Sequence, residues 1–177
     1  MAGTLTVQNI EGPSSGSNAN KVIIPSGQTL DVSGGTLVPS AGAVVQTVQG
    51  TYNTQISTTS TSYVTTNLTA TITPTSSDSK VLIRVNTCAY APTAVYNRMT
   101  IYRGSTDLAT GHGGGTDSFQ ALNIGATSWI PTNIEWLDSP STTSATTYTM
   151  YYRAASSTVY MHNGFTISTI TLMEIAQ

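Results

Sequence analysis

The chain has 177 residues, a net charge of −2 and a charged fraction of only 8%. Six Lys and Arg residues in all form no basic stripe that would neutralise phosphates, which argues against nucleic-acid binding. No apolar run approaches the ~18 residues of a membrane helix, and the single Cys88 excludes an intrachain disulfide.

The length suits one ordinary domain with an appendage. Roughly three residues in ten are Ser or Thr, far above average usage. Thr, Val, Ile and Tyr recur, and these residues fit a pleated, half-buried surface. The composition is therefore all-β. A surface with so little charge suits a protein held against other copies of itself.

The opening "MAGTLTVQNIEG" has neither a basic n-region nor an apolar h-region, so no signal peptide is expected. "GPSSGSNAN" reads as an extended arm that wraps onto a neighbouring subunit. From Lys21 to Gln46, short apolar pulses recur every seven or eight residues: Val22–Ile24, Leu30–Val32 and Leu37–Val38. None is long enough to bury itself. Several chains wound together would bring Ile23, Ile24, Leu30, Val32, Leu37 and Val38 to a common axis, with glycines allowing close approach. A plain Gly/Ser linker would need no such pulses. Residues 1–43 are thus expected to form a docking arm and short multichain stalk, and 44–177 a head.

Within the head, "VVQTVQGTYNTQI" starts the strands. "SYVTTNLTATIT" alternates strictly, with Val64, Thr66, Leu68, Ala70 and Ile72 on one face. "PTSSDS" is a turn. "KVLIRVNTCA" follows, and the two strands read as an antiparallel hairpin. Further strands are "VYNRMTIYR", "SWIPTNIEWL", "TTYTMYYRA", "STVYMH" and "GFTISTITLMEIA". About eight antiparallel strands at this spacing predict a jelly-roll-like β-sandwich. The last strand is apolar on both faces: Phe165, Ile167, Met173 and Ile175 on one, Ile170 and Leu172 on the other. Ile170 and Leu172 are therefore expected to meet a neighbouring subunit.

"MAGTLTVQNIEGPSSG" and "NANKVIIPSGQTLDVSGGTLVPSAG" resemble the N-terminal arm of small virion proteins of tailed phages, notably marine and cyanobacterial ones. "ATITPTSSDSKVLI", "NRMTIYRGSTDL" and "TISTITLMEIA" are similar to phage fibre sandwich domains. The resemblance covers most of the chain through compositional motifs, none of them catalytic. It implies a homotrimeric virion structural protein without enzymatic activity or cofactor, made in a host cytoplasm and assembled on the particle. Its partners would be other copies of itself and other virion proteins of capsid or tail. A capsid decoration protein or head fibre is the first expectation; a short tail fibre touching host surface glycans is the alternative.

Chemistry-bearing motifs are few. "GPSSG" (12–16) matches a nucleophile elbow around Ser14, and "HGGG" (112–115) an oxyanion motif. The elbow needs a preceding buried strand and a following helix, and neither is expected in a Ser/Asn-rich arm. Turns explain both motifs. Asp107, His112 and Asp117 flank a glycine-rich loop whose groups suit a cation, yet their spacing matches no metal motif. His162 is expected at a turn, and Cys88 as a small buried or interface residue. Asn67 heads a glycosylation sequon in a poor strand setting. Tyr96, Tyr102, Trp129, Trp136 and Tyr160 are the candidate glycan or protein contacts, since such rings join an apolar body to a polar tip. The competing expectation is that these rings fill strand faces and subunit contacts.

Overall fold

The computed structural model describes residues 13–17, 22–29, 39–112, 117–125 and 128–177. The chain divides into two compact units, Met1–Val38 and Pro39–Gln177. In the first, the described residues form bends and turns without helix or strand. The Gln28 N–H donates to the Pro25 carbonyl at 3.1 Å, and Gly27 takes φ +80, a value that favours glycine at this turn position. Val22, Ile23 and Ile24 stand 56%, 55% and 42% exposed. Leu30, Val32, Leu37 and Val38 lie outside the described residues.

The second unit contains eleven strands: β1 Val44–Tyr52, β2 Ile56–Thr58, β3 Val64–Ile72, β4 Lys80–Tyr90, β5 Val95–Arg103, β6 Thr106–Asp107, β7 Gln120–Ile124, β8 Ile130–Asp138, β9 Thr146–Ala154, β10 Val159–Met161 and β11 Ser168–Ile175. The described residues include no helix. Every pairing is antiparallel. One sheet runs β1-β11-β4, with β8 also on β4 and the short β10 and β2 extending the sheet. The other runs β3-β9-β5, with β6 and β7 both on β5. The long strands thus lie as β1-β11-β4-β8 over β3-β9-β5-β7, an antiparallel jelly roll.

The core follows the alternation in the sequence. Leu68, Ala70 and Ile72 of β3 face Val81, Ile83 and Val85 of β4 in one buried cluster, which Met99, Ile101, Tyr148, Met150 and Tyr152 fill from β5 and β9. Each buried side chain of this size contributes roughly 1.5–3 kcal/mol.

Three expectations are corrected. β3 and β4 do not form a hairpin: β3 pairs with β9, and β4 with β8 and β11. Each has one apolar face, and crossing the intervening turn between sheets lets those faces pack against each other. Ile170 and Leu172 do not meet a neighbouring subunit through their side chains, because both are 0% exposed inside this chain's own sandwich. Half-buried Met173 and Ile175 lie on the outer face instead. Phe165 and Ile167 precede β11 rather than belonging to it, and are 96% and 68% exposed. Beyond the strands expected lies the five-residue β7, and "STVYMH" yields a short strand, β10, as expected.

Two contacts lock the crossover. Glu174 is 0% exposed. Its carboxylate accepts Gln46 Nε2–H at 2.6 Å, the Thr75 N–H at 2.8 Å and the Thr75 hydroxyl at 2.7 Å. Burial pushes the Glu174 carboxyl up, but hydrogen bonds from Gln46, Thr75 and Ser79 outweigh it and hold its pKa at about 2. The second contact lies at Gly50 of β1. A Cβ there would overlap the Thr69 carbonyl oxygen and lie 2.8 Å from its carbon and 3.1 Å from Ile170 Cγ2. Glycine lets the edges of the two sheets meet at this point.

Candidate functional site

The outer face of the β4–β8 pair carries a cavity. Strand alternation places Asn86, Cys88 and Tyr90 of β4 on that face. Their β8 partners in register are Asn133 for Asn86 and Pro131 for Cys88. Trp129, two residues before Pro131, continues the row. Asn86, Thr87, Cys88, Trp129, Pro131, Asn133, Asn163, Thr166 and Ile167 enclose about 320 Å³, within the range of small-molecule sites.

One wall carries the Trp129 ring, which an aromatic cluster outside the lining supports. Tyr90 stacks at a tilt on Trp129 (5.5 Å) and on Tyr160 (5.6 Å). The rim is a pinned turn: Asn163 Oδ1 accepts the N–H groups of Phe165 (2.9 Å) and Thr166 (2.8 Å) and the Thr166 hydroxyl (2.8 Å). Gly164 takes φ +76 within it. These bonds hold the exposed Phe165 out on an ordered turn.

A second, more polar depression of about 430 Å³ lies on the opposite sheet, lined by Thr61, Ser62, Tyr63, Tyr102, Asp107, Asp117 and Arg153. Tyr102 lies 4.2 Å from Tyr151 and 6.3 Å from Tyr63. Arg153 lies 5.0 Å over the Tyr63 ring. The Tyr63 hydroxyl donates to the Asp117 carbonyl at 2.7 Å. Burial raises the pKa of both Tyr63 and Tyr102. Asp107 Oδ1 accepts from the Ala109 N–H and the Thr100 hydroxyl, and Asp117 Oδ1 from the Gly111 N–H. Their carboxylates therefore staple the loop. His112 turns away to pack 5.3 Å from Trp136. Among the described residues, no group of three His, Cys, Asp or Glu is placed to hold a metal.

His162 sits in the left-handed region at φ 56 and is 0% exposed. Its Nε2–H donates to the Thr66 carbonyl at 3.2 Å, while Nδ1 lies 2.7 Å from Ser168 Oγ and 3.0 Å from Thr87 Oγ1. The carbonyl partner fixes the proton on Nε2. Burial lowers the ring's pKa, against the Thr66 bond. A Ser–His contact of this length invites comparison with a nucleophile and its base. Yet Ser168 is 1% exposed, and no carboxylate orients the ring. The group ties β3 to β4 and β11 as a strut. Ser14 lies in an exposed bend, and the described residues around it, 13–17, hold neither strand nor helix. Gly113–Gly115 of the oxyanion motif lie outside the described residues.

The five aromatic candidates separate. Trp129 and Tyr160 share one cluster through Tyr90. Tyr102 lies on the other sheet, as does Tyr96, which is 45% exposed beneath Arg98. Trp136 is half-buried; it packs 4.9 Å from Phe119 and against the core. The amides of Asn86, Asn133 and Asn163 are absent from the candidates drawn from sequence. The signal for them was period two: Trp129, Pro131 and Asn133, and likewise Asn86, Cys88 and Tyr90, share a face once both segments are strands.

No protein-family model and no curated protein matches this chain. Solved structures that it resembles include infectious bursal disease virus, Gt strain, with 13% identity and a TM-score of 0.47 over 87% of this chain and 43% of that one. The T=1 particles derived from infectious bursal virus give 10% identity and a TM-score of 0.42, over 87% and 41%. The VP2 subviral particle of infectious bursal disease virus gives 14% and 0.38, over 93% and 46%. The chain spans less than half the length of each of these. Likenesses this distant carry no argument about activity.

Proposed function

We propose that this chain is a non-enzymatic virion structural protein that assembles as a homotrimer, with residues 1–43 as docking arm and stalk and residues 44–177 as a projecting head. The observation that carries this reading is the exposed run Val22–Ile24, three consecutive apolar side chains that the described residues leave in water. Leaving such residues in water forgoes roughly 1.5–3 kcal/mol each, which a second surface recovers by covering them. The low charge of the chain fits a surface spent on contacts with protein. Viral capsid proteins and lectins both use the jelly roll, and that analogy at the level of fold permits the reading without deciding it.

Capsid decoration or a head fibre is the preferred placement. The cavity lined by Trp129, whose ring packs on Tyr90, favours a second reading, a short spike that touches host surface glycans. The test is loading onto particles that lack this protein. Full-length chain is expected to bind, and residues 39–177 alone to remain soluble and β-rich without binding. Equal loading of the truncated chain would place docking in the head and overturn the role given to the arm.

A further inference from the structure

We infer that the cavity between β4, β8 and the 163–167 turn is a binding site for a neutral carbohydrate, with one sugar ring stacked on Trp129 and hydroxyls held by the Asn86 and Asn133 amides. This rests on the glycan-contact reading and gives it a site and a ligand class.

The chemistry of the lining selects the ligand. No Asp, Glu, Lys, Arg or His lines the cavity, so it offers no counter-charge to an acidic or basic ligand. The Trp129 ring in the lining, backed by Tyr90, offers flat apolar area, matched by the C–H face of a pyranose. Asn86 and Asn133 stand directly opposite each other in the β4–β8 ladder, which sets their Cβ atoms about 4.5–5.5 Å apart. Neither side-chain amide bonds to a described residue. Each presents a carbonyl acceptor and an NH₂ donor, and each sugar hydroxyl both accepts and donates. Two adjacent amides thus match two neighbouring hydroxyls. An apolar occupant such as Phe165 of a second copy would cover the rings but leave the amides facing hydrocarbon, a desolvation without compensation.

The site is also pre-formed. The two amides stand on paired strands, and three hydrogen bonds to Asn163 Oδ1 hold the rim. Little order has to be created on binding.

The test is to screen the full chain on an array of neutral and acidic oligosaccharides. The strongest neutral binder is then titrated by intrinsic tryptophan fluorescence. Binding to neutral sugars is expected, with little change in affinity as salt rises from about 0.05 to 0.5 M, because no charge is screened. Trp129→Ala should weaken it about tenfold or more. Asn86→Ala and Asn133→Ala, both at exposed positions, should each weaken it several-fold with unchanged melting temperature. Tyr102→Ala, on the opposite sheet, should bind as the parent. The site is overturned if no neutral oligosaccharide binds, if the Asn and Trp129 variants bind as the parent, or if acidic sugars bind best in a salt-sensitive way. It is equally overturned if Phe165→Ala and Trp129→Ala both dissolve a self-association while no sugar binds, because a second copy then fills the cavity. A neutral sugar that binds but does not block particle adsorption to the host upholds the site and removes the spike reading.

Discussion

Replacing Glu174 by Gln keeps the shape of the side chain and removes its charge. In the parent, Oε1 takes both Thr75 donors and Oε2 takes Gln46 Nε2–H. The new amide can keep its oxygen toward Thr75, which turns its NH₂ toward the Gln46 NH₂. Flipping Gln46 relieves that clash but forfeits its 2.7 Å bond to the Thr73 carbonyl. The carboxyl group sits at about 2 against an ordinary 4.5, a gap worth roughly 3 kcal/mol in linkage. With one donor left unmatched, the loss near neutral pH should be about 2–4 kcal/mol, on the order of 10 °C in melting temperature. The sign follows from a pKa depressed in the folded state. The contribution is complete above the unfolded value near 4.5 and is lost as pH falls through that value toward 2. Thermal unfolding by circular dichroism, in steps from pH 7 to pH 2.5, should show the parent and Glu174→Gln converging in acid. Other carboxylates titrate in both proteins and cancel in the difference. A gap that stays constant across this range would refute the assignment of the bonds to an ionised carboxylate.

Gly50→Ala should cost several kcal/mol and leave little soluble protein, because the new methyl overlaps the Thr69 carbonyl and only separation of the β1 and β3 edges relieves it; a melting temperature near the parent's would show that the edges yield freely. Leu30→Ser with Leu37→Ser should weaken trimer association, since three copies of each would lose roughly 1.5–3 kcal/mol per buried side chain. Sedimentation of that double variant as an undiminished trimer would remove the stalk.

The alternation of β3, β4 and β9 was legible, because each strand carries its own in-and-out pattern within nine to eleven residues. Pairing was not. The same pattern serves a hairpin or a crossing between sheets, and what chooses the crossing here is remote: Glu174 reaches back 99 residues to the turn at Thr75. Ile170 and Leu172 show the same limit. A strand apolar on both sides announces two covered faces, but not which of them belongs to its own core. β7 was missed because "QALNI" is short and follows a glycine-rich loop. At the cavity, Trp129 could be picked out as a ring. The Asn86–Asn133 pair could not, since it needs the β4–β8 register that only the folded sheet supplies.

The central claim is that this chain belongs to a particle. Quantifying its peptides by mass spectrometry in density-purified virions from a producing culture tests that claim most directly. A fixed stoichiometry divisible by three is expected, in the hundreds of copies for decoration of the capsid and a few tens at most for tail fibres. A chain that remains at the top of the gradient, with none in the particle band, would contradict the account.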